Sequence, residues 1–401
     1  MEWQTLKSAK FTKDTKELYE AIKEGTAKAR NGEPTNPLML ELKSLLESGL
    51  LDTSLHNAMG WFLYFRIKNS QPNDFVTQKN DLSTYLKLET TKPSPLHSLM
   101  LHEAVRMKKL KPDRFKFINF LTLWNPVNLR EEDWEPYEVN ENARMPSLVE
   151  KILGCYAKEL PRLKIEASPE ISSLADKAIE KFPGNSNLPL YKAAIAISRK
   201  DREEALGYIK SLLIKQPTKS HLWRKAYELV GPLDLKVVCL CKAISLQKDE
   251  AFLGNARLKL ARLFQRKGLS QFALFELQEY HRLYTSKRWS LSKEYDYIRN
   301  QISPEVRAED SRQIYARFMP LAEEFLYASL PTTAVTKVSQ REFADKYHPG
   351  KTNLIWTLKT ADGQILYLHN PHTKGLNPAA PDGTGFHACI MEGKIVWITS
   401  T

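Results

Sequence analysis

The feature of this chain that most constrains its fold is a residue pattern that recurs every 34 positions between about Val149 and Tyr284. A fixed period in this range is typical of stacked helical hairpins, each of which needs its neighbours to bury its apolar face. Repeats of this kind usually present a surface that holds a partner, and not a pocket for chemistry. The positions that keep the register are Ala193, Tyr227 and Ala261; Ala205, Cys239 and Ala273; Ile209, Ala243 and Leu277; and Leu212, Leu246 and Tyr280.

The clearest unit runs from Leu260 to Leu277. Small residues at its close-packing positions allow two helices to approach, and Gly268 lies where the first helix must end and turn. These residues resemble the tetratricopeptide repeat, a family with small residues, an aromatic and a closing proline at fixed positions. The matching positions are Trp223, Ala261, Phe264, Gly268, Ala273, Pro183 and Pro217.

The middle unit departs from this pattern, since Tyr227 and Cys239 replace small residues and Gly231-Pro232 interrupts the turn. The resemblance therefore covers about 135 residues with degenerate motifs. The alternative is an ordinary helical bundle with accidental periodicity, but four positions in register across three units favour the repeat. We predict a mainly α fold, a tetratricopeptide-like solenoid of stacked hairpins.

The N-terminal block carries a second resemblance. Four short segments of this block resemble segments of a bacterial group of tetratricopeptide-containing proteins. They are Gly60–Tyr64, Pro93–Leu101, Trp124–Trp134 and Pro146–Lys151. That group is associated with mobile-element and anti-phage conflict operons, and its members often end in a small barrel of the nucleic-acid-binding type. The resemblance implies a role in a bacterial defence or mobile-element system.

Amphipathic patterns predict helices over residues 14–30, 37–48, 56–68, 80–88, 95–109 and 113–124, followed by an acidic, irregular connection over 125–146. Helices resume at residue 147, and a final one covers 312–330. The acidic residues of the connection, Glu131, Glu132, Asp133 and Glu135, are interpreted as a solvated loop.

The last 70 residues change to an alternation with period two, in which Leu354, Trp356 and Leu358 share one face. About five short strands predict a small all-β barrel. Its element order is similar to the OB folds of cold-shock and ribosomal proteins, and an SH3-like barrel is the alternative. The predicted domains are 1–146, an N-terminal helical domain; 147–330, helical repeats; and 331–401, the OB-like barrel.

The chain lacks the motifs of the common catalytic and cofactor-binding sites, so we expect a non-enzymatic protein without a cofactor or a metal. The alternative is an enzyme with an unrecognised site in the N-terminal block or the barrel. We expect a cytoplasmic protein, because no segment resembles a secretory signal or a membrane span. The four cysteines, without zinc-type spacing, are interpreted as reduced thiols.

Positive charge is the strongest functional signal. The chain carries 59 basic and 47 acidic residues, a net charge of +12, of which residues 331–401 hold only +2. Clustered cations near aromatic rings suit a phosphate backbone and stacked bases, although long cationic side chains also commonly cover helix faces. The predicted nucleic-acid-binding residues are Arg106, Lys108, Lys109, Lys111 and Arg114 in the helical region, and Tyr367 and His369 in the barrel.

The preferred function is a scaffold that binds a protein or peptide partner through the solenoid. In tetratricopeptide proteins the first helix of each hairpin lines the binding groove, and this resemblance places Lys192, Arg224, Tyr227 and Arg257 there. Such a groove would favour an acidic partner. The alternative is a nucleic-acid-binding accessory factor that contacts RNA or single-stranded DNA.

Overall fold

A computed structural model describes residues 15–71, 74–140, 143–344, 352–371, 376–391 and 393–400. The chain divides into two compact units, Met1–Asp201 and Arg202–Thr401. The described residues contain sixteen α-helices and a five-stranded antiparallel sheet near the C-terminus. The domain boundaries after residues 146 and 330 stay a prediction.

The first unit is built almost entirely from helices. They are α1 (Thr15–Arg30), α2 (Asn36–Glu47), α3 (His56–Asn69), α4 (Phe75–Tyr85), α5 (Pro95–Leu110), α6 (Phe117–Trp124), α7 (Leu148–Leu163), α8 (Pro169–Lys181) and α9 (Asn187–Ser198). The connection between α6 and α7 contains two short 3-10 turns and a hairpin of β1 (Tyr137–Asn140) and β2 (Ala143–Met145).

The helix starts follow from local chemistry. Ser147 and Glu150 form a capping box at α7, in which each side chain accepts the backbone N–H of the other. The sixth helix begins at Phe117, later than the predicted residue 113. The reason is that the Lys108 ammonium donates to the carbonyls of Pro112 (2.7 Å) and Phe115 (3.0 Å), which holds the preceding residues in a turn.

The acidic connection is not wholly solvated, contrary to the interpretation from its sequence. Asp133 is buried, and its carboxylate accepts from the Ser98 hydroxyl at 2.7 Å and from the backbone N–H of Arg130 at 2.9 Å. These bonds fasten the connection to α5. Asp133 is therefore a structural anchor.

A buried histidine organises the centre of the first unit. The His97 ring is fully buried and stacks on Trp124, with 4.3 Å between the ring centroids. Its Nε2 lies 3.1 Å from the Trp124 carbonyl and its Nδ1 lies 2.8 Å from the Tyr85 hydroxyl. The carbonyl can only accept, so Nε2 donates to it and Nδ1 accepts from Tyr85. Burial lowers the pKa of His97 to about 4.

The helices of the second unit pair in chain order, α11 with α12 and α13 with α14, and α12 also packs on α13. They are α10 (Arg202–Lys215), α11 (Ser220–Leu229), α12 (Leu233–Leu246), α13 (Gly254–Arg266), α14 (Ser270–Ser286), α15 (Lys293–Asn300) and α16 (Arg312–Tyr327). The hairpins α11–α12 and α13–α14 begin with α11 and α13, whose first residues are 34 positions apart. The sequence period therefore corresponds to successive helical hairpins.

The turns of these hairpins agree with the predicted glycine positions. Gly268 has a φ of 72°, and the backbone N–H of Leu269 donates to the Phe264 carbonyl, which ends α13. Gly231-Pro232 lies in the connection between α11 and α12. The final helix, α16, packs mainly on α12, and its Phe325 ring contacts Trp223.

The C-terminal sheet consists of β3 (Thr333–Ala344), β4 (Thr352–Thr360), β5 (Ile365–His369), β6 (Gly385–Met391) and β7 (Lys394–Ser400). Antiparallel ladders join them in the order β5-β4-β3-β6-β7. The sheet has its own apolar core, which includes Trp356, Leu358 and Phe386. The prediction of about five strands is confirmed.

In the part of the chain that the structure describes, no helix combines the length and apolarity needed to cross a bilayer. The four cysteines, Cys155, Cys239, Cys241 and Cys389, are all free and buried. Burial raises the pKa of Cys239 to about 12, so this thiol stays protonated at neutral pH.

Candidate partner-binding groove

Lys192 does not face a groove. Its side chain is only 2% exposed, and its ammonium donates to the Ser172 hydroxyl at 2.8 Å and to an Asp176 carboxylate oxygen at 2.6 Å. These contacts tie α9 to α8. The predicted partner-binding role is corrected, since a buried ammonium that is already paired is not available to a ligand.

Arg257 is likewise a structural residue. Its guanidinium is buried and donates to the Glu276 carboxylate at 2.7 Å, and Glu279 lies at 3.7 Å. The hydroxyls of Ser311 and Tyr315 also donate to Glu276. This buried network joins α13, α14 and the start of α16. Arg257 lines a cavity of about 740 Å³, but its predicted partner-binding role is corrected because its guanidinium is already paired with Glu276.

Arg224 and Tyr227, the other two predicted groove residues, do meet. They lie at one cavity of about 220 Å³ formed by α11 and α13, with α12 at its floor. We call this cavity the α11–α13 groove. It is lined by His221, Arg224, Lys225, Tyr227, Glu228, Leu240, Asn255, Ala256 and Lys259.

The groove carries an excess of positive charge. Three cations, Arg224, Lys225 and Lys259, face a single carboxylate, Glu228, so the lining has a net charge of +2 with histidine neutral. Glu228 is shared, at 3.7 Å from the Lys225 ammonium and 3.8 Å from that of Lys259. Both pairs are longer than a hydrogen bond and largely exposed, so each contributes little and leaves its cation open to another anion.

Aromatic surface lies among these cations. The Lys259 ammonium is 5.1 Å from the centroid of the Tyr227 ring, and Lys236 lies 5.7 Å from the same ring. Arg224 makes a long contact, 3.5 Å, with the Phe252 carbonyl. The groove can therefore offer a guanidinium and two ammonium groups to carboxylates, beside a half-buried ring suited to apolar contact.

The field in the groove also acts on His221. Burial lowers the pKa of this imidazole, and the charges of Arg224, Lys219 and Lys225 lower it further. A histidine in this environment is neutral at pH 7. It can then donate or accept a hydrogen bond without adding charge.

The predicted basic cluster on α5 does not form one surface. Lys108 is buried, and its ammonium donates to Glu159 at 2.8 Å, so its predicted nucleic-acid-binding role is corrected. Arg106 donates to Glu103 at 2.6 Å and to the Ile67 carbonyl at 3.2 Å. The guanidinium of Arg114 lies 5.2 Å from the Phe75 ring centroid. Lys109 and Arg114 are exposed and Lys111 is half-buried, so these three cations remain accessible.

Tyr367 and His369 are exposed on the outer face of β5, as the sequence predicts. Tyr367 is 57% exposed and pairs across the ladder with Thr357 of β4. Trp356 and Phe386 lie in the sheet core.

Sequence reasoning missed His221, Lys225 and Lys259 as groove residues. The repeat itself held the signal, because Lys225 and Lys259 are 34 residues apart and occupy equivalent positions on α11 and α13. His221, Arg224 and Lys225 also follow the spacing of one helix face.

Known proteins resemble this chain only in part. No curated protein matches the chain. A solved structure of a monomeric mutant of IFIT1 with Gppp-AAAA is similar over 73% of this chain and 70% of that one, at 13% sequence identity and a TM-score of 0.30. Residues 187–322, which contain the α11–α13 groove, are similar to the family described as a domain of unknown function, DUF7017.

Proposed function

We propose that the protein is a non-enzymatic scaffold that holds an acidic segment of a protein partner in the α11–α13 groove. The observation that carries this proposal is the convergence of Arg224, Lys225 and Lys259 around Tyr227, with Glu228 as the one carboxylate among the described residues of the lining. Three cations with one weakly paired acid attract an anionic chain and set its orientation. The Tyr227 ring supplies the apolar contact that such interfaces use as an anchor.

The position of the groove supports a binding role. It lies on the first helices of successive hairpins, the elements that the resemblance to tetratricopeptide repeats assigns to partner binding. The lining offers charge, hydrogen-bond donors and an aromatic surface, which together suit recognition of an extended acidic peptide.

Neutralising the groove should weaken partner binding. We expect the double variant Arg224→Ser/Lys259→Ser to lose at least tenfold in affinity, because two charge-assisted contacts of about 1 kcal/mol or more each disappear. The partner is first captured from the native cell with the full chain after nuclease treatment, and its affinity is then measured by calorimetry with purified components.

The matched control is Lys215→Ser/Lys287→Ser, which removes two exposed cations of the same unit outside the groove lining. It should bind as the wild type does. Equal affinity of the groove variant and the wild type would reject the assignment. A partner that is lost on nuclease treatment would instead indicate a nucleic-acid bridge.

A second candidate function is single-stranded nucleic-acid binding by the C-terminal sheet, which we propose closes into an OB-like barrel. The observation that favours it is the exposed pair Tyr367 and His369 on β5, beside Lys359 of the neighbouring β4. Exposed rings beside a cation are the elements of a base-stacking platform. Such binding should weaken steeply with salt.

In that case Tyr367→Ala should weaken binding of a single-stranded oligonucleotide by about 1–3 kcal/mol, the typical loss of one base–aromatic stack. Fluorescence anisotropy at low salt measures it. Tyr297→Ala, which removes a similarly exposed tyrosine from α15, is the control and should leave binding unchanged. The absence of any binding to RNA or DNA at low salt excludes this candidate.

We further propose that the protein acts in the cytoplasm, within a bacterial defence or mobile-element system. Four buried, free cysteines support a reducing compartment. The system is supported by the resemblance of the N-terminal block alone, and deleting the gene and challenging the host with phage tests it directly.

A further inference from the structure

A second cavity lies in the first unit, where α5, α7 and the start of α9 meet. Its volume is about 490 Å³, within the range of small-molecule sites. We call it the α5–α7–α9 cavity. The lining residues that bear on ligand binding are Lys109, Lys151, Gly154, Cys155, Lys158 and Tyr191.

The acidic residues around this cavity are already engaged by other partners. Glu159 is buried and holds the Lys108 ammonium at 2.8 Å and the backbone N–H of Ile118 at 2.8 Å. Asp113 is paired with Arg162 at 2.5 Å. Glu159 therefore has its charge and its acceptor capacity committed to residues that hold the helices together, and the exposed Asp113 has a cation partner of its own.

The third carboxylate, Glu150, is committed in the same way. It caps the start of α7 and accepts from Arg144 at 2.9 Å and from Asn185 at 2.7 Å. In the described part of the chain, no carboxylate lies within ion-pair distance of Lys109, Lys151 or Lys158. Three lysines thus line one cavity with uncompensated charge.

The neighbouring groups respond to this charge. Burial lowers the pKa of Lys151 and the positive charge of Lys109 lowers it further, while the charge of Glu150 opposes this shift without reversing it. Burial raises the pKa of Cys155, so its thiol stays neutral and does not offset the lysines. An anion in the cavity would relieve the repulsion between the ammonium groups, which is the electrostatic condition for a binding site.

The wall of the cavity offers a hydroxyl group and apolar surface. Gly154 allows the Tyr191 side chain to lie against α7, because a Cβ at this position would come within 3.0 Å of the Tyr191 hydroxyl. Burial raises the pKa of Tyr191, so this hydroxyl remains a donor at neutral pH. Asn185 and Asn187 also place the N-terminus of α9 at the rim, which adds partial positive charge.

We propose that the α5–α7–α9 cavity binds a compact organic phosphate of nucleotide size. Lysine ammonium groups bind phosphate as point charges, and three of them match the charge of a di- or triphosphate. The Tyr191 ring and the apolar lining residues Pro112 and Pro146 suit the organic part. The cavity belongs to the first unit, so this proposal stands independently of the α11–α13 groove in the second.

Calorimetric titration of the full chain with ATP, AMP, pyrophosphate and inorganic phosphate tests the proposal. We expect ATP to bind more tightly than inorganic phosphate, and Lys109→Gln/Lys151→Gln/Lys158→Gln to weaken ATP at least tenfold. The control Lys16→Gln/Lys79→Gln/Lys177→Gln neutralises three exposed lysines of the same unit outside the cavity and should bind as the wild type does. Thermal unfolding verifies that both triple variants are folded.

Gly154→Val is an independent variant that keeps every charge but fills the cavity beside Tyr191, and it should also weaken ATP binding. Three results would overturn the proposal. They are no binding of any probe at millimolar concentration, unchanged affinity in the lysine variant, or binding of a single-stranded oligonucleotide through these lysines that ATP does not displace. The last result would assign the lysines to nucleic acid.

Discussion

Replacing Glu276 with leucine is expected to lower the stability of the helices around it by about 3–5 kcal/mol, the usual effect of removing one partner of a buried ion pair. Glu276 is fully buried and accepts from the Arg257 guanidinium and from the hydroxyls of Ser311 and Tyr315. Without it, the guanidinium keeps only the more distant Glu279, and two buried hydroxyls lose their acceptor.

A double-mutant cycle separates this effect from a general loss of packing. Arg257→Met/Glu276→Leu removes both charges together, so we expect it to be less destabilised than Glu276→Leu alone. Hydrogen exchange of the amides of α13 and α14, followed by mass spectrometry, reports the local stability. Additive effects of the two single variants, or a Glu276→Leu variant as stable as the wild type, would contradict the assigned network.

Acid is expected to destabilise the first unit through His97. The pKa of this histidine is about 4 in the folded chain and about 6.5 when unfolded, so between these values the unfolded state binds more protons. The contribution of His97 to stability is therefore fully present above pH 6.5 and is lost as the pH falls toward 4. The loss amounts to about 2 kcal/mol at pH 5.

The contacts of the His97 ring explain why its pKa is low in the folded chain. A proton on Nδ1 would face the Tyr85 hydroxyl, which donates to this nitrogen in the neutral state, while Nε2 already donates to the Trp124 carbonyl. The ring is buried against Trp124, so water cannot solvate the added charge.

Urea denaturation between pH 4.5 and 7.5 measures this dependence. His97→Gln, which keeps one donor and one acceptor but does not titrate, should show a flatter dependence of stability on pH than the wild type. His281→Gln, which replaces an exposed histidine of α14, should keep the wild-type dependence. The same slope in His97→Gln and the wild type would exclude His97 as the source.

The helical hairpins and the strands could be predicted from the sequence because the patterns that indicate them are local. The 34-residue period marks the starts of α11 and α13, and Gly268 marks a turn that needs a positive φ. The alternation around Trp356 likewise marks a strand with one buried face. Each of these signals depends on residues close together in the chain.

Whether an individual cation is exposed or buried against a carboxylate could not be predicted in the same way. The sequence predicts exposed charges on helices for Lys108, Lys192 and Arg257. In the structure each of these side chains is buried against a carboxylate of another helix. The partners lie 16 to 51 residues away in sequence. Whether a cation is available to a ligand is therefore decided by tertiary packing. Arg224 has no ion pair with Glu228, the one acid among the described residues of the groove lining, because Glu228 lies nearer Lys225 and Lys259.

Site-specific photo-crosslinking tests whether the α11–α13 groove holds the partner. A photoreactive phenylalanine at position 227 lies in the groove, and the same residue at position 297 lies on exposed α15 as the control. If the groove holds the partner, we expect nuclease-resistant crosslinks from position 227 to an acidic segment of one protein, and none from position 297. Crosslinks from position 227 to nucleic acid, or equal crosslinking from both positions, would contradict it.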